Sequence, residues 1–238
     1  VSWLFALAVS FVSCDDWLDK TPKDRLYPDV YFKTEDELRL FTNQFYNNLV
    51  PSAVDIYSES SDLIVKSDLM LEMSGQRIIP DEGNGWNFTA LRDINFYLQY
   101  SHNCTEVNAR NRYDGVARFF RAYFYFEKVK RYGDIPWYDK ALDSDDPELY
   151  KARDSREFVM QKMLEDLDFA IANLPKTKNA YVLTRWTALA LKSRVCLFEG
   201  TFRKYHGLED CEKYLNACVS ASETFMNESG YTLYKSGS

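Results

Sequence analysis

One stretch of the chain, Gly115 to Trp137, constrains the fold more than any other. Its sequence, GVARFFRAYFYFEKVKRYGDIPW, places Phe119, Phe126 and neighbouring rings at helical spacing on more than one face. A helix that is apolar on several faces must be covered on several sides. Gly133 and Pro136 then predict a left-handed C-terminal residue and a firm stop. We therefore predict a buried helix with several partners.

Helical patterns recur along most of the chain. Thr34 with Glu37, and Asp154 with Glu157, have the spacing of capping boxes, and Thr184 is a third candidate N-cap. We predict helices after these three starts and three more over residues 86–100, 105–132 and 208–227. The serine-rich and glycine-rich residues between the first two helices predict short pieces joined by a long loop. These helix, turn, helix units have no strict sequence period, and they predict an all-α, TPR-like helical-repeat (α-solenoid) fold with long irregular loops.

The beginning of the chain has the pattern of an export signal. It is an apolar run, too short to span a bilayer, and Ser13 and Cys14 follow it directly. A small residue before a cysteine at this place resembles a bacterial lipobox, in which the thiol receives a diacylglycerol. The abrupt change to charged residues argues against an ordinary core helix. We predict a signal peptide over residues 1–13, truncated at its start, and a tether over residues 14–33 lipidated on Cys14.

Composition limits the ligands that this chain is expected to bind. The formal net charge of -7 disfavours nucleic acid, because affinity for nucleic acid comes largely from neutralised phosphates. With two histidines and no Cys-x-x-Cys pair, the sequence has no typical metal-ligand spacing, and we expect neither a metal nor a cofactor. The other cysteines are Cys104, Cys196, Cys211 and Cys218, and we interpret them as small buried side chains. A long-range disulfide among these four is the open alternative.

Several separated motifs resemble, in order, those of the SusD/RagB family. Members of this family are surface lipoproteins that partner TonB-dependent transporters in the outer membrane of Bacteroidetes. The resemblance covers nearly the whole chain, from CDDWLD at residues 14–19 to the segment 189–197. The segments ARFFRA at 117–122 and YGDIP at 132–136 match the best-known signature of the family. Val116 departs from the pattern, which usually has a glutamate at this position.

The resemblance implies a function and a location. The protein would be anchored through Cys14 in the bacterial outer membrane and exposed at the cell surface. It would bind a glycan, or less often a peptide, without catalysis and deliver it to a TonB-dependent (SusC-like) transporter. Family members are considerably longer than this chain. Residues 34–238 are therefore interpreted as a SusD-like N-terminal helical domain that is incomplete at its C-terminus.

Candidate ligand residues lie in and just after the irregular segment that follows the first helix. Sugar sites combine flat aromatic faces, which stack on sugar rings, with amides that bond hydroxyl groups. On this basis the candidates are Tyr57, Asn84, Trp86 and Asn87. For Trp86 we favour a packing role over ligand contact, because it falls at the start of a helical block. For Tyr57 neither packing nor ligand contact is favoured. The rings between residues 119 and 126 are interpreted as core.

Two other functions stay open, a helical-repeat scaffold that binds only proteins and a secreted glycan hydrolase. A hydrolase needs two carboxylates that flank one bond. Adjacent acids such as Glu165 and Asp166 are interpreted as solvated charge, because neighbouring positions on a helix point apart. Arg118 and Arg121 are interpreted as structural, either paired internally or snorkelling past neighbouring rings, rather than as an anion site. The sequence contains no glycine-rich phosphate loop, GxSxG elbow or HExxH helix, so no enzyme is predicted.

Overall fold

All regular elements in the described residues are helices. The computed structural model describes residues 30–51, 71–76, 78, 85–233 and 235. These residues form α1 (Glu35–Leu49), α2 (Leu71–Ser74), α3 (Thr89–Tyr100), α4 (Val107–Tyr132), α5 (Arg156–Asn173), α6 (Arg185–Tyr205) and α7 (Cys211–Glu228). Short 3-10 helices cover Ser101–Asn103 and Pro147–Tyr150. The all-α prediction is confirmed.

The central helix of the core is α4. Most of its rings are buried, including Phe120, Tyr125 and Phe126, and Val116 is buried with them. α1 and α3 pack against α4, as does α5. Gly133 ends the helix with a φ of 71°, a conformation that favours glycine. The prediction of a buried helix with several partners and a glycine stop is confirmed.

Consecutive helices form the two most extensive helical interfaces. α4 packs against α5, and α6 packs against α7, while α5 joins the two pairs through its contact with α6. The α6–α7 approach is close at Gly200, where an added Cβ would lie 2.7 Å from the Leu215 side chain. Stacked helical pairs of this kind are the unit of TPR-like repeats, so this prediction is also confirmed.

Two of the three predicted N-caps are confirmed. The hydroxyl of Thr34 accepts a hydrogen bond from the Glu37 N–H, and the Glu37 carboxylate accepts one from the backbone of Thr34. Thr184 caps α6 in the same way, with Thr187 as its partner. Both caps satisfy N–H groups that have no partner within the helix.

The predicted capping box of Asp154 and Glu157 is wrong. The cap of α5 is Ser155, whose hydroxyl accepts a hydrogen bond from the Phe158 N–H at 3.3 Å. The Asp154 carboxylate accepts instead from the Trp137 N–H at 2.7 Å. Serine and aspartate are both good N-caps. A contact with the segment after α4 therefore decides which of the two caps the helix.

Three other helices begin later than predicted. α4 begins at Val107, two residues after its predicted start. α3 begins at Thr89, because the Asn87 side chain accepts a hydrogen bond from the Thr89 N–H at 2.8 Å and forms a turn before the helix. α7 begins at Cys211, after Asp210. The φ of Asp210 is 62°, which lies outside the right-handed helical region.

A buried ion pair joins α4 to α5. Arg121 donates to the two carboxylate oxygens of Asp166 at 2.6 and 2.7 Å, and both side chains are buried. Arg118 donates to the same carboxylate at 3.4 Å. Burial alone would lower the pKa of Arg121, but the hydrogen bonds and charge of Asp166 raise it overall. The structural role predicted for Arg118 and Arg121 is confirmed, and of the two alternatives it is internal pairing.

The interpretation of Glu165 and Asp166 as solvated charge is wrong for Asp166. The two side chains do diverge, but Asp166 faces α4, whereas Glu165 is exposed and pairs with Lys162 at 2.8 Å. A sequence pattern shows that neighbouring acids point apart without showing which of them faces a buried arginine.

We predict that Asp166→Asn lowers the free energy of unfolding by about 3–5 kcal/mol, because it leaves the buried charge of Arg121 uncompensated. The matched control is Glu165→Gln on the same helix, which should change stability by less than about 0.5 kcal/mol. Urea unfolding followed by circular dichroism measures both values. Equal stabilities of the two variants would contradict a structural role for the ion pair.

Candidate functional site

An open groove lies between the first half of α3 and the connection from α4 to α5. Its volume is about 350 Å³. Phe88 and Leu91 line it on the α3 side, and Tyr138 and Leu142 line it on the side of the connection. Trp86 lies at its rim and is 41% exposed. The groove thus combines an apolar lining with a large ring that is open to solvent.

Asn95 fixes one wall of the groove. Its side-chain amide donates hydrogen bonds to the carbonyl oxygens of Tyr138 at 2.8 Å and Lys140 at 3.2 Å. Its own oxygen accepts from Arg121 at 3.3 Å. The Arg92 side chain donates to the carbonyl of Leu142 at 3.1 Å. These polar groups line the groove, but they serve to hold its backbone.

The hydroxyl of Tyr125 supports the same wall from below. It accepts a hydrogen bond from the Tyr138 N–H at 2.6 Å, and it donates to the carbonyl of Pro136 at 3.2 Å. The Tyr125 ring stacks on Trp137 with centroids 4.3 Å apart. Burial raises the pKa of Tyr125, so this hydroxyl keeps its proton and remains a donor.

Trp86 is held at the rim by two other rings and a cation. Its ring centroid lies 5.3 Å from that of Phe88 and 4.9 Å from that of Tyr132, with near-perpendicular planes. The guanidinium carbon of Arg153 lies 4.9 Å from the Trp86 centroid. Such edge contacts and cation–π contacts orient an indole without removing it from solvent. Trp86 therefore has a packing role and an exposed ring at the same time.

Paired charges border the outer side of the groove. Lys140 contacts Glu148 at 2.8 Å and Asp146 at 3.8 Å, and Arg92 contacts Asp143 at 3.7 Å. The hydrogen bond to Glu148 raises the pKa of Lys140. These pairs are exposed to solvent, so they contribute little to stability. They leave cations and carboxylates within reach of a polar ligand.

The structure tests the placement of only two predicted ligand residues. Trp86 and Asn87 are adjacent in the chain and both exposed, and the amide oxygen of Asn87 accepts the hydrogen bond from the Thr89 N–H in the turn before α3. Cys14, Tyr57 and Asn84 lie outside the described residues, so their roles stay predictions. Sequence reasoning missed Tyr138 and Arg153, which the fold brings to the groove from more distant positions.

A larger hollow of about 1020 Å³ lies between α4, α6 and the end of α1. Phe124 and Phe126 line it, and both are buried. Pro51 lies at its edge, next to residues outside the described part of the chain. The groove at Trp86 is the stronger candidate for ligand binding, because the Trp86 ring is open to solvent.

Within the described residues, no group of three or more histidine, cysteine or acidic side chains could hold a metal ion. The four cysteines in this part are free. Cys104 and Cys196 are buried, as predicted from the sequence, whereas Cys211 and Cys218 are only half-buried. No helix in the same part of the chain has the length and apolar character needed to cross a membrane.

The fold and the groove define a helical-repeat protein with an open, aromatic-rimmed cleft. Residues 45–185, more than half of the chain, match the SusD-like family described as "Starch-binding associating with outer membrane". The chain belongs to this SusD-like family. The resemblance seen in the sequence motifs is therefore confirmed.

Individual relatives are similar over most of this chain. It is 27% identical over 218 residues to SusD-like protein P2 of Formosa agariphila, covering 83% of this chain and 43% of the relative. A SusD-like protein of Bacteroides fragilis has a TM-score of 0.64 at 22% identity, covering 90% of this chain and 42% of that one. A laminarin-binding SusD-like protein has a TM-score of 0.51 at 18% identity, covering 62% and 31%.

At these sequence identities, the similarity to solved structures establishes only the fold of this chain. The chain spans 39% to 44% of the length of the curated relatives that it matches. Ligands and partners of whole family members therefore apply to this chain only as proposals.

We predict that Asn95→Ala lowers the free energy of unfolding by about 1–3 kcal/mol, because the Lys140 carbonyl and one Arg121 nitrogen lose their partner and the Tyr138 carbonyl keeps only the Tyr125 hydroxyl, at 3.5 Å. It should also speed amide hydrogen exchange in residues 138–142, the wall that Asn95 holds. Gln99→Ala is the matched control, since Gln99 is exposed on the same helix. Exchange in this wall that is identical in both variants would contradict the role assigned to Asn95.

Proposed function

We propose that this chain is the helical N-terminal part of a cell-surface lipoprotein that binds glycans and delivers them to a TonB-dependent transporter. The observation that carries this proposal is the exposed indole of Trp86 at the rim of an open groove. The family description as starch-binding and the laminarin-binding relative support a carbohydrate ligand. A peptide is the less favoured ligand of the same groove.

The groove has the physical properties that sugar binding requires. Sugar rings have apolar faces that stack on indole and polar edges that need hydrogen-bond partners. Trp86 supplies the flat face, and Thr89 and Lys140 supply donors along the groove. Its wall is held by Asn95, so little ordering is needed when a ligand binds.

We propose that binding is not followed by catalysis. Among the residues that the structure describes, the acids that border the groove, Asp143, Asp146 and Glu148, come from one short segment of the connection and contact Arg92 or Lys140. Hydrolysis of a glycoside uses two carboxylates on either side of one bond. A row of acids that neutralise cations on one edge supports binding alone.

The proposed location is the outer membrane, through a lipid on Cys14. The family description as associating with the outer membrane supports this location. Acyl chains on one cysteine would hold a helical body at the surface without a spanning helix. The transporter below would then receive the glycan from the groove. Partnership with a SusC-like transporter is part of the same proposal.

We predict that Trp86→Ala weakens glycan binding by about tenfold or more, because loss of a stacked ring removes roughly 1.4 kcal/mol or more. A glycan array followed by calorimetry measures the effect. Tyr181→Ala is the control, since Tyr181 is 90% exposed and lies outside the groove. Association with a transporter but with no glycan or peptide would favour the scaffold function. Release of sugar products would favour a hydrolase.

We predict that Cys14→Ala abolishes lipid labelling and surface retention when the protein is expressed with an export signal in a Bacteroidetes host. The thiol is the acyl acceptor, so no other residue can replace it. Cys211→Ala, which changes a half-buried cysteine on α7, should leave labelling unchanged. Full acylation of the Cys14 variant would overturn the anchor.

A further inference from the structure

Two cysteines, Cys196 on α6 and Cys218 on α7, occupy facing positions of the two helices. On α6, the residues that contact α7 include Ser193, Gly200 and Arg203, which recur at the spacing of one helical face. Cys196 belongs to the same face, three residues after Ser193 and four before Gly200, and it is buried. Its side chain therefore faces α7.

Cys218 faces α6 from the other side. Its sulfur lies 3.5 Å from the hydroxyl oxygen of Ser193. Ser222, four residues further along α7, contacts the same hydroxyl at 2.7 Å. Residues four apart share one face of a helix, so Cys218 lies on the face of α7 that packs against α6.

The register of the two helices brings the cysteines level with each other. Gly200 lies against Leu215, and Ser193 lies against Ser222, so positions on the two helices advance in opposite directions. From the Gly200–Leu215 contact, the cysteine of α6 is four residues back and the cysteine of α7 is three residues on. At about 1.5 Å per residue, these are shifts of about 6 Å and about 4.5 Å in the same direction.

The backbones of α6 and α7 are close enough for a disulfide. An added Cβ on Gly200 would lie 3.1 Å from the backbone nitrogen of Leu215. With about 1.5 Å for each of the two bonds that lead to the Cα atoms, the Cα–Cα distance is at most about 6 Å. Disulfides join Cα atoms that are about 4.4–6.8 Å apart. Beyond the cysteines, the hydrogen-bonded hydroxyls of Ser193 and Ser222 keep the helices close.

We propose that Cys196 and Cys218 form a disulfide that fastens α6 to α7 when the protein meets a disulfide oxidant. Both thiols are free in the structure. Rotation of the Cys218 side chain about its Cα–Cβ bond turns the sulfur from Ser193 toward Cys196. The proposed surface location provides suitable conditions, because disulfides persist outside the reducing cytoplasm. The inference is independent of the ligand that binds at Trp86.

The half-buried Cys218 is the thiol that an oxidant reaches first. Its thiolate attacks the disulfide of the oxidant, forms a mixed disulfide and releases one thiolate. The sulfur of Cys196 then attacks the Cys218 sulfur, forms the internal disulfide and releases the second thiolate, and the Cys196 proton passes to a released thiolate. The two cysteines lose two electrons in total, and the oxidant is reduced to two thiols.

The second of these steps is the slow one. Burial raises the pKa of Cys196 to about 12, so this thiol keeps its proton until the mixed disulfide is in place. The rate of disulfide formation should therefore rise with pH across the neutral range.

The test is oxidation of the purified protein with oxidised glutathione, followed by alkylation and mass spectrometry of unreduced tryptic peptides. Trypsin places the four cysteines of the described residues in four different peptides. We expect a cross-link between the peptides that contain Cys196 and Cys218. Cys211 cannot join Cys218, because seven residues of one helix separate them by about 10 Å.

The cross-link should raise the midpoint of thermal unfolding by roughly 5–10 °C, because it closes a loop of about twenty residues. Cys218→Ala should remove both the cross-link and this rise. Cys196→Ala should do the same. The matched control is Cys211→Ala on α7, which should keep both the cross-link and the rise.

A Cys218 that carries glutathione and has no link to Cys196 would show that the two sulfurs cannot meet, and it would overturn the inference. A mixture of pairings like that of the urea-unfolded chain would also overturn it, because the fold would then not direct the bond. A cross-link that leaves the unfolding midpoint unchanged would contradict the claim that it fastens α6 to α7.

Discussion

The buried ion pair of Arg121 and Asp166 is the interaction on which the rest of the structure depends. Charges are costly to bury unless they are paired and hydrogen-bonded. Here the pair sets α5 against α4, and a third nitrogen of Arg121 bonds Asn95 on α3. Asn95 then holds the carbonyls of Tyr138 and Lys140. A continuous set of hydrogen bonds therefore runs from the core to the wall of the groove.

Aromatic packing around α4 provides the frame in which this pair is buried. Rings from α1, α3 and α4 meet mainly edge to face, as Phe45 does with Phe120, and Phe88 before α3 meets Tyr138 of the connection in the same way. The same packing extends outward to Trp86, which contacts Phe88 and remains partly exposed. The core and the candidate site are thus parts of one aromatic cluster, and its outermost ring is available to a ligand.

Local signals made part of this structure predictable from the sequence. The burial of α4 follows from rings on several faces of one helix, and the caps Thr34 and Thr184 follow from side chains within three residues of their partners. Asp166 and Asp154 were assigned wrongly because their partners, Arg121 and Trp137, come from another element. Helical periodicity predicts which side chains share one face of a helix, but it does not predict which charged side chains of two helices will contact each other.

The candidate site was predictable only in part, for the same reason. Trp86 was visible as a ring beside an irregular segment. Tyr138, which lines the groove, and Arg153, which contacts Trp86, are more than fifty residues away from Trp86 in the chain. Only the packing of the connection onto α3 brings them to this site. The residue spacing within a single sequence does not predict a contact between positions so far apart in the chain.

The central claim is that the groove at Trp86 is where this protein binds its glycan. Amide hydrogen exchange, compared with and without the tightest-binding oligosaccharide from the array, tests this claim most directly. The account predicts that slowed exchange is centred on residues 86–92 and 138–149, the two sides of the groove. Protection confined to α6 and α7, with no change on either side of the groove, would contradict it.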